Sequence, residues 1–197
     1  MSFKDYYNQE IRKKLMTELK IKSLMAVPNV IKIAVNVGAG EAVVNKNVLE
    51  KIQEQVTTIT GQKSVITKAH RSVSAFKIRK GLPIGVKATL RGKKMLIFLE
   101  KLVKIIIPRL KDFRGIAETS IDSGGNLNIG FPEQTIFPEI DFDKIDKTRG
   151  LQVTIVTNAR NKIRGKKLFE ALGIPFKNSK SQISRPKGDR PLDENPK

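Results

Sequence analysis

Hydrophobic positions along the chain change period several times, and each change marks an element. Phe3, Tyr7, Ile11, Leu15 and Leu19 recur every fourth residue, the spacing of one helical face. Ser2-Phe3-Lys4-Asp5 is a loose capping box, so an amphipathic helix is predicted to about Lys22. The period then drops to two. In 27-VPNVIKIAVNVGAGE-41, Ile31, Ile33, Val35 and Val37 fall on one strand face and Lys32, Ala34 and Asn36 on the other. Asn45 or Asn47 can cap a second helix with the apolar stripe Val48, Leu49, Ile52, Val56 and Ile59, closed by Gly61.

A second strand is expected over 62-QKSVITKA-69 and a third over residues 84 to 91, where Val86, Ala88 and Leu90 alternate with Lys87, Thr89 and Arg91. A third helix, 93-KKMLIFLEKLVKIII-107, turns Met95, Phe98, Leu99, Leu102 and Ile106 inward, and Pro108 stops it. Residues 109 to 131 read as a linker into a hairpin with 122-DSGGN-126 at its turn. Residues 132 to 150 are loop-like. Leu151, Val153 and Ile155 then alternate with Gln152 and Thr154 in a last strand, and a helix near Lys162 to Leu172 ends at Gly173-Ile174-Pro175.

The predicted order is α-β-α-β-β-α-β-β-β-α. Strands that alternate in this way have one packed and one wet face. The fold class expected is α+β: a mostly antiparallel open sheet with helices packed on one face and the other face free for a ligand. Residues 1–176 form a single domain on this reading. The tail, 177–197, has three prolines and only Ile183 and Leu192 as sizeable apolar groups, a composition that does not build a core.

Charge names the class of ligand. The 197 residues carry a formal charge of +19, which favours nucleic acid or an anionic surface over a small neutral substrate. From Gln55 to Leu99 there is no Asp or Glu, while Lys63, Lys68, Arg71, Lys77, Arg79, Lys80, Lys87, Arg91, Lys93 and Lys94 all lie in that stretch. A solvated face normally mixes both signs. The apolar-poor segment near 70–84 reads as a basic loop projecting from the sheet. Between Asp112 and Asp146, eight acids face two bases, so the molecule has an acidic end.

Other classes are disfavoured. No apolar run is long enough to span a bilayer, and MSFKDYYNQE lacks the apolar region of a secretory signal. The absence of cysteine fits a reducing compartment. The single histidine, His70, has no orienting carboxylate nearby in sequence, as a general base would need. Asp141, Asp143 and Asp146 lack the glycine and the terminal glutamate of a calcium loop. They read as a solvated or protein-docking surface. Gly38-Ala39-Gly40 lacks the third glycine of a dinucleotide fingerprint. No cofactor, metal or small-molecule substrate is expected, and no enzyme activity. Aromatic residues are missing from the polar strand faces, so the mode is contact of amides, hydroxyls and cations with phosphates and 2′-hydroxyls, not base stacking.

Several segments resemble one family closely: 31-IKIAVNVGAGEA-42, 61-GQKSVITKA-69, 76-FKIRKGLPIG-85, 87-KATLRGKKM-95, 108-PRLKDFRG-115, 130-GFPEQTIFPEI-140 and 149-RGLQVTIVT-157. They are similar to the family of the universal fifth protein of the large ribosomal subunit, in its bacterial form, across residues 3 to 176. The resemblance implies a cytoplasmic, ribosome-bound structural protein that attaches 5S rRNA in the central protuberance, beside large-subunit rRNA and neighbouring 5S-associated proteins. Asn36, Gln62 and Thr89 match the family's RNA-contacting positions. Lys32, Lys63, Lys68, Lys87 and Arg91 are added from strand alternation.

The family's loop implies a P-site tRNA contact through Arg71, Ser72, Ser74, Lys77, Arg79 and Lys80. Its acidic side implies an intersubunit bridge to a basic small-subunit protein through Glu139, Asp141, Asp143 and Asp146. The segment 158-NARNKIRGKK-167 is basic where the family's last helix is acidic, and its partner stays open. The alternative is a stand-alone nucleic-acid-binding protein or chaperone without a fixed RNA partner. Competition between 5S RNA and duplex DNA separates the two.

Overall fold

Nine residues from Val30 to Gly38 form β1, the middle strand of a five-stranded sheet. The computed structural model describes residues 7–43, 45, 47–110, 113–140 and 146–177. The capping box at residues 2–5 with Phe3, the carboxylates Asp141 and Asp143, and the tail from 178 onward lie outside the described residues.

The described residues open with a π turn, Tyr7–Ile11, that runs into α1, Arg12–Glu18. Lys20 takes a left-handed conformation (φ 52°), so the helix stops short of the predicted Lys22. After β1, α2 spans Asn47–Thr60 and buries Leu49, Ile52, Val56 and Ile59, with Val48 half-buried. Gly61, at φ 62°, returns its N–H to the Thr57 carbonyl. The edge strand β2, Val65–Lys68, pairs antiparallel with β3, Pro83–Leu90. Next, α3, Gly92–Lys101, continues through a π turn at Leu102–Ile106 and a closing turn at Ile107–Arg109. Pro108 therefore sits inside the final turn, where it donates no N–H to the turn before it, and Leu110 ends the helix two residues on.

The hairpin predicted around 122-DSGGN-126 forms its turn but only one of its arms. Asp122 accepts from the Asn126 backbone N–H at 2.7 Å and from its side-chain amide at 2.8 Å. Beyond it runs β4, Leu127–Phe131. The other arm is reduced to isolated bridges, Ile121 to Leu127 and Ile116 to Phe176, so the sheet has five strands where the pattern predicted six. Finally β5, Leu151–Thr157, and α4, Lys162–Ala171, complete the described elements, with Asn161 Oδ1 capping the Ile163 N–H at 3.0 Å.

The strand order is β2-β3-β1-β5-β4, with every neighbouring pair antiparallel. Ile33, Val35, Val37, Val86, Leu90, Val153, Ile155 and Leu127 on one face share a single core with Leu15, Ile52, Val56, Phe98, Leu99, Leu168 and Phe169 of the helices. One side of the sheet is thus covered by helices. The predicted inward set needs one correction. Ile31 is half exposed, because the β1–β5 ladder shifts register between Val30 and Lys32, and Val30 is buried in its place. A bulge of this kind adds a residue and breaks the alternation.

Candidate nucleic-acid interface

Because side chains alternate along each strand, residues paired across strands share a face. Opposite the helices the pairings lay out two rows. Val65, Lys87, Asn36, Gln152 and Gly130 follow one another across β2, β3, β1, β5 and β4. Thr89, Ala34, Thr154 and Asn128 form the next row. Lys87, Asn36 and Gln152 are exposed, and the second row is half-buried. Neither row contains a carboxylate. A Cβ built on Gly38 or Gly130 meets nothing within 4 Å, so no part of the described chain covers the face there. Thr154 Oγ1 donates to Asn128 Oδ1 at 2.7 Å, which fixes the orientation of that amide. The result is a flat surface of cations, amides and hydroxyls, suited to phosphate and sugar contacts.

Not every residue singled out from the sequence joins these rows. Asn36, Thr89 and Lys87 do, and Lys32, half-buried, lies one step beyond them on β1. Arg91 is exposed just past β3, where it precedes α3. Gln62 and the exposed Lys63 come before β2 begins. The Gln62 amide donates to the Thr89 carbonyl at 3.0 Å, so this side chain fastens the approach to β2 onto β3. Lys68 is exposed at the far end of β2, after a register shift from Thr67, and marks the base of the loop instead of a place in the rows.

Gln152, Thr154 and Asn128 were missed as site residues. Gln152 and Thr154 alternate on β5 and Asn128 lies on β4; none of the three is charged, and only strand order brings them beside Ala34 and Asn36.

The loop between β2 and β3 is built. Ala69 donates to Leu82 at 2.8 Å, and Val73 and Ile78 exchange bonds of 2.8 and 3.1 Å. Ser72 Oγ accepts the Lys80 N–H at 3.0 Å. Arg71, Ser72, Ser74, Lys77, Arg79 and Lys80 are all exposed, and Phe76 stands 71% exposed among them.

At the acidic end, Glu139 takes a 2.8 Å ion pair from Lys101, whose ammonium also donates to the Ile59 carbonyl at 2.7 Å and lies over the Phe98 ring. Asp146 pairs with Lys51. Both described acids of the segment are therefore engaged with helices of the same chain.

Fold and face together define an α+β domain whose antiparallel sheet is packed by helices on one side and keeps an uncovered, acid-free face on the other. Residues 23–79 match ribosomal protein L5, and residues 83–176 match the C-terminus of the same ribosomal family. The large ribosomal subunit protein uL5 of Synechococcus sp. (strain RCC307) is 50% identical over 179 residues, 91% of this chain and 100% of the relative. The chain belongs to the ribosomal protein L5 family. It is an rRNA-binding structural component of the large subunit and not an enzyme. The expected location, cytoplasmic and ribosome-bound, is that of the family in bacteria.

Proposed function

We propose that the uncovered sheet face binds 5S rRNA and attaches it in the central protuberance. The observation that carries this reading is the acid-free row Lys87, Asn36 and Gln152, exposed side by side across three central strands. Such a row presents one cation and two amides at the spacing of adjacent strands, and a structured RNA can lay its phosphates and 2′-hydroxyls along it. Gln62 contributes by holding β2 to β3 at Thr89.

The basic loop over residues 70–84 contacts P-site tRNA, with Arg71, Lys77, Arg79 and Lys80 as its exposed cations. The acidic segment, 138–146, faces a basic small-subunit protein across an intersubunit bridge. Within it Glu139 also anchors Lys101.

Competition binding tests the central part. Compared mass for mass, 5S RNA is expected to displace a labelled 5S probe orders of magnitude more effectively than duplex DNA. Equal competition by the DNA would remove the fixed partner and favour a general nucleic-acid chaperone.

A further inference from the structure

The sheet has two ends, and the loop occupies only one. Gly38 pairs with Gly85 beside the base of the loop, whereas Val30 pairs with Thr157 at the opposite end. There a cleft of about 300 Å³ opens between the segment leading into β1 and the first turn of α4. Met25, Ala26 and Pro28 line one wall, and Asn158, Arg160 and Arg164 the other. Met25 is 82% exposed, with Leu24 and Ile163 also exposed on the protein surface.

The walls are held in place. The Asn29 N–H donates to Asn158 Oδ1 at 2.5 Å, and the Asn158 N–H to the Asn29 carbonyl at 3.1 Å. Tyr7 donates its hydroxyl to Asn29 Oδ1 at 2.7 Å, and Arg12 binds the Leu24 carbonyl at 3.2 Å.

Among the described residues, no carboxylate compensates the charge at the cleft. Glu118 and Glu170, the acids beside α4, both turn to Lys166. Among the described residues neither Arg160 nor Arg164 has an ion-pair partner. Arg160 is moreover held at φ 54°, a conformation that glycine or asparagine adopts at less cost. Local preference therefore does not account for an arginine at this position.

We propose that this cleft is a second RNA-contact site, which takes a phosphate of an unpaired rRNA nucleotide on Arg160 and Arg164 and its base against Met25, Ala26 and Pro28. Guanidinium forks bind phosphate bidentately, and the apolar wall suits the face of a base. Lys32 lies at this same end of the sheet, so an RNA strand leaving the open face passes one further cation on its way to the cleft.

The test uses the full chain and a short 4-thiouridine-substituted oligouridylate, cross-linked by light and mapped by mass spectrometry. Cross-links are expected in the peptide holding Met25 to Pro28 and in that spanning residues 158–164. Arg160→Gln with Arg164→Gln should abolish them and flatten the salt dependence of binding by about 0.7 log units per log salt for each phosphate no longer neutralised. Met25→Ala should weaken them at unchanged charge. Asn36→Ala should leave them intact, which separates this site from the 5S face. Cross-links absent from both peptides, or an unchanged salt slope in the double variant, overturn the proposal. So does a labelled oligo-aspartate peptide that binds the wild type through the two arginines while oligouridylate binding ignores them, since that assigns the cleft to an acidic protein segment.

Discussion

Asn36 on β1 stands directly across from Lys87 on β3, and on its other side across from Gln152 on β5. The three belong to non-consecutive stretches of sequence, and antiparallel pairing alone makes them neighbours. Beneath them Val35, Val86 and Val153 are buried in the core. A one-residue slip would exchange the two sets, so the apolar face that anchors the sheet also sets the register of the polar face.

Gln62 is expected to matter for stability as well as for RNA. Gln62→Ala removes the bond from its amide to the Thr89 carbonyl and should cost about 1 kcal/mol, read from a urea melt. Lys87→Ala, at an exposed position, should stay within about 0.5 kcal/mol of wild type. Equal stabilities for both variants would place the Gln62 contribution elsewhere.

Gly165 in α4 packs directly on the backbone of Gly125. A Cβ at Gly165 would meet the Gly125 carbonyl oxygen at 2.6 Å and its Cα at 2.7 Å. Backbone atoms cannot swing aside as a side chain can. Gly165→Ala should therefore destabilise by about 1–3 kcal/mol, although alanine is the better helix former. Denaturant unfolding that showed a gain would mean that α4 shifts freely.

The two described acids of the acidic segment should separate under mutation. Glu139→Ala strips the carboxylate from Lys101, whose side chain is only 16% exposed, and should cost about 1–3 kcal/mol. Asp146→Ala breaks a pair whose side chains are half exposed and should cost under about 1 kcal/mol. Thermal melts check both. Subunit-joining assays of the proposed bridge are better read from the Asp146 variant, which leaves the fold intact.

Stability should fall at both extremes of pH. Lys147 holds the Glu41 carboxyl below its ordinary value, Lys166 does the same for Glu118, and Asn126 for Asp122. Groups depressed in the folded state stabilise above their unfolded pKa, and that contribution disappears as acid drives pH down through the folded values. Burial pushes the Tyr7 hydroxyl up to about 12. Folding therefore favours its neutral form, and stability is lost as pH rises from about 10, the unfolded value, toward about 12. Melting temperature followed against pH should show both limbs, and Tyr7→Phe should flatten only the alkaline one.

Much of the sheet was legible because its signal is local. Strict alternation needs no partner strand to be seen: Ile33, Val35 and Val37, then Val86, Ala88 and Leu90, then Leu151, Val153 and Ile155, are all buried. The exposed state of Ile31 was not legible, since a bulge depends on how β1 meets β5. Nor was the loss of a hairpin arm, because residues 116 to 121 pair in part with Phe176, far along the chain. At the face, charge drew attention to Lys87 and Arg91, while Gln152, Thr154 and Asn128 join the rows only through strand order. Gln62 reads as a surface amide in sequence, and its bond to Thr89 follows from folding.

If 5S rRNA lies on the open face, the salt dependence of its binding by Lys87→Ala, measured beside wild type, records the loss of a phosphate contact there. The slope of log affinity against log salt should flatten by about 0.7–0.9, the signature of one phosphate left without its cation, with 5S RNA binding also weakened in Asn36→Ala. An unchanged slope together with full affinity in Asn36→Ala would move the RNA to another surface.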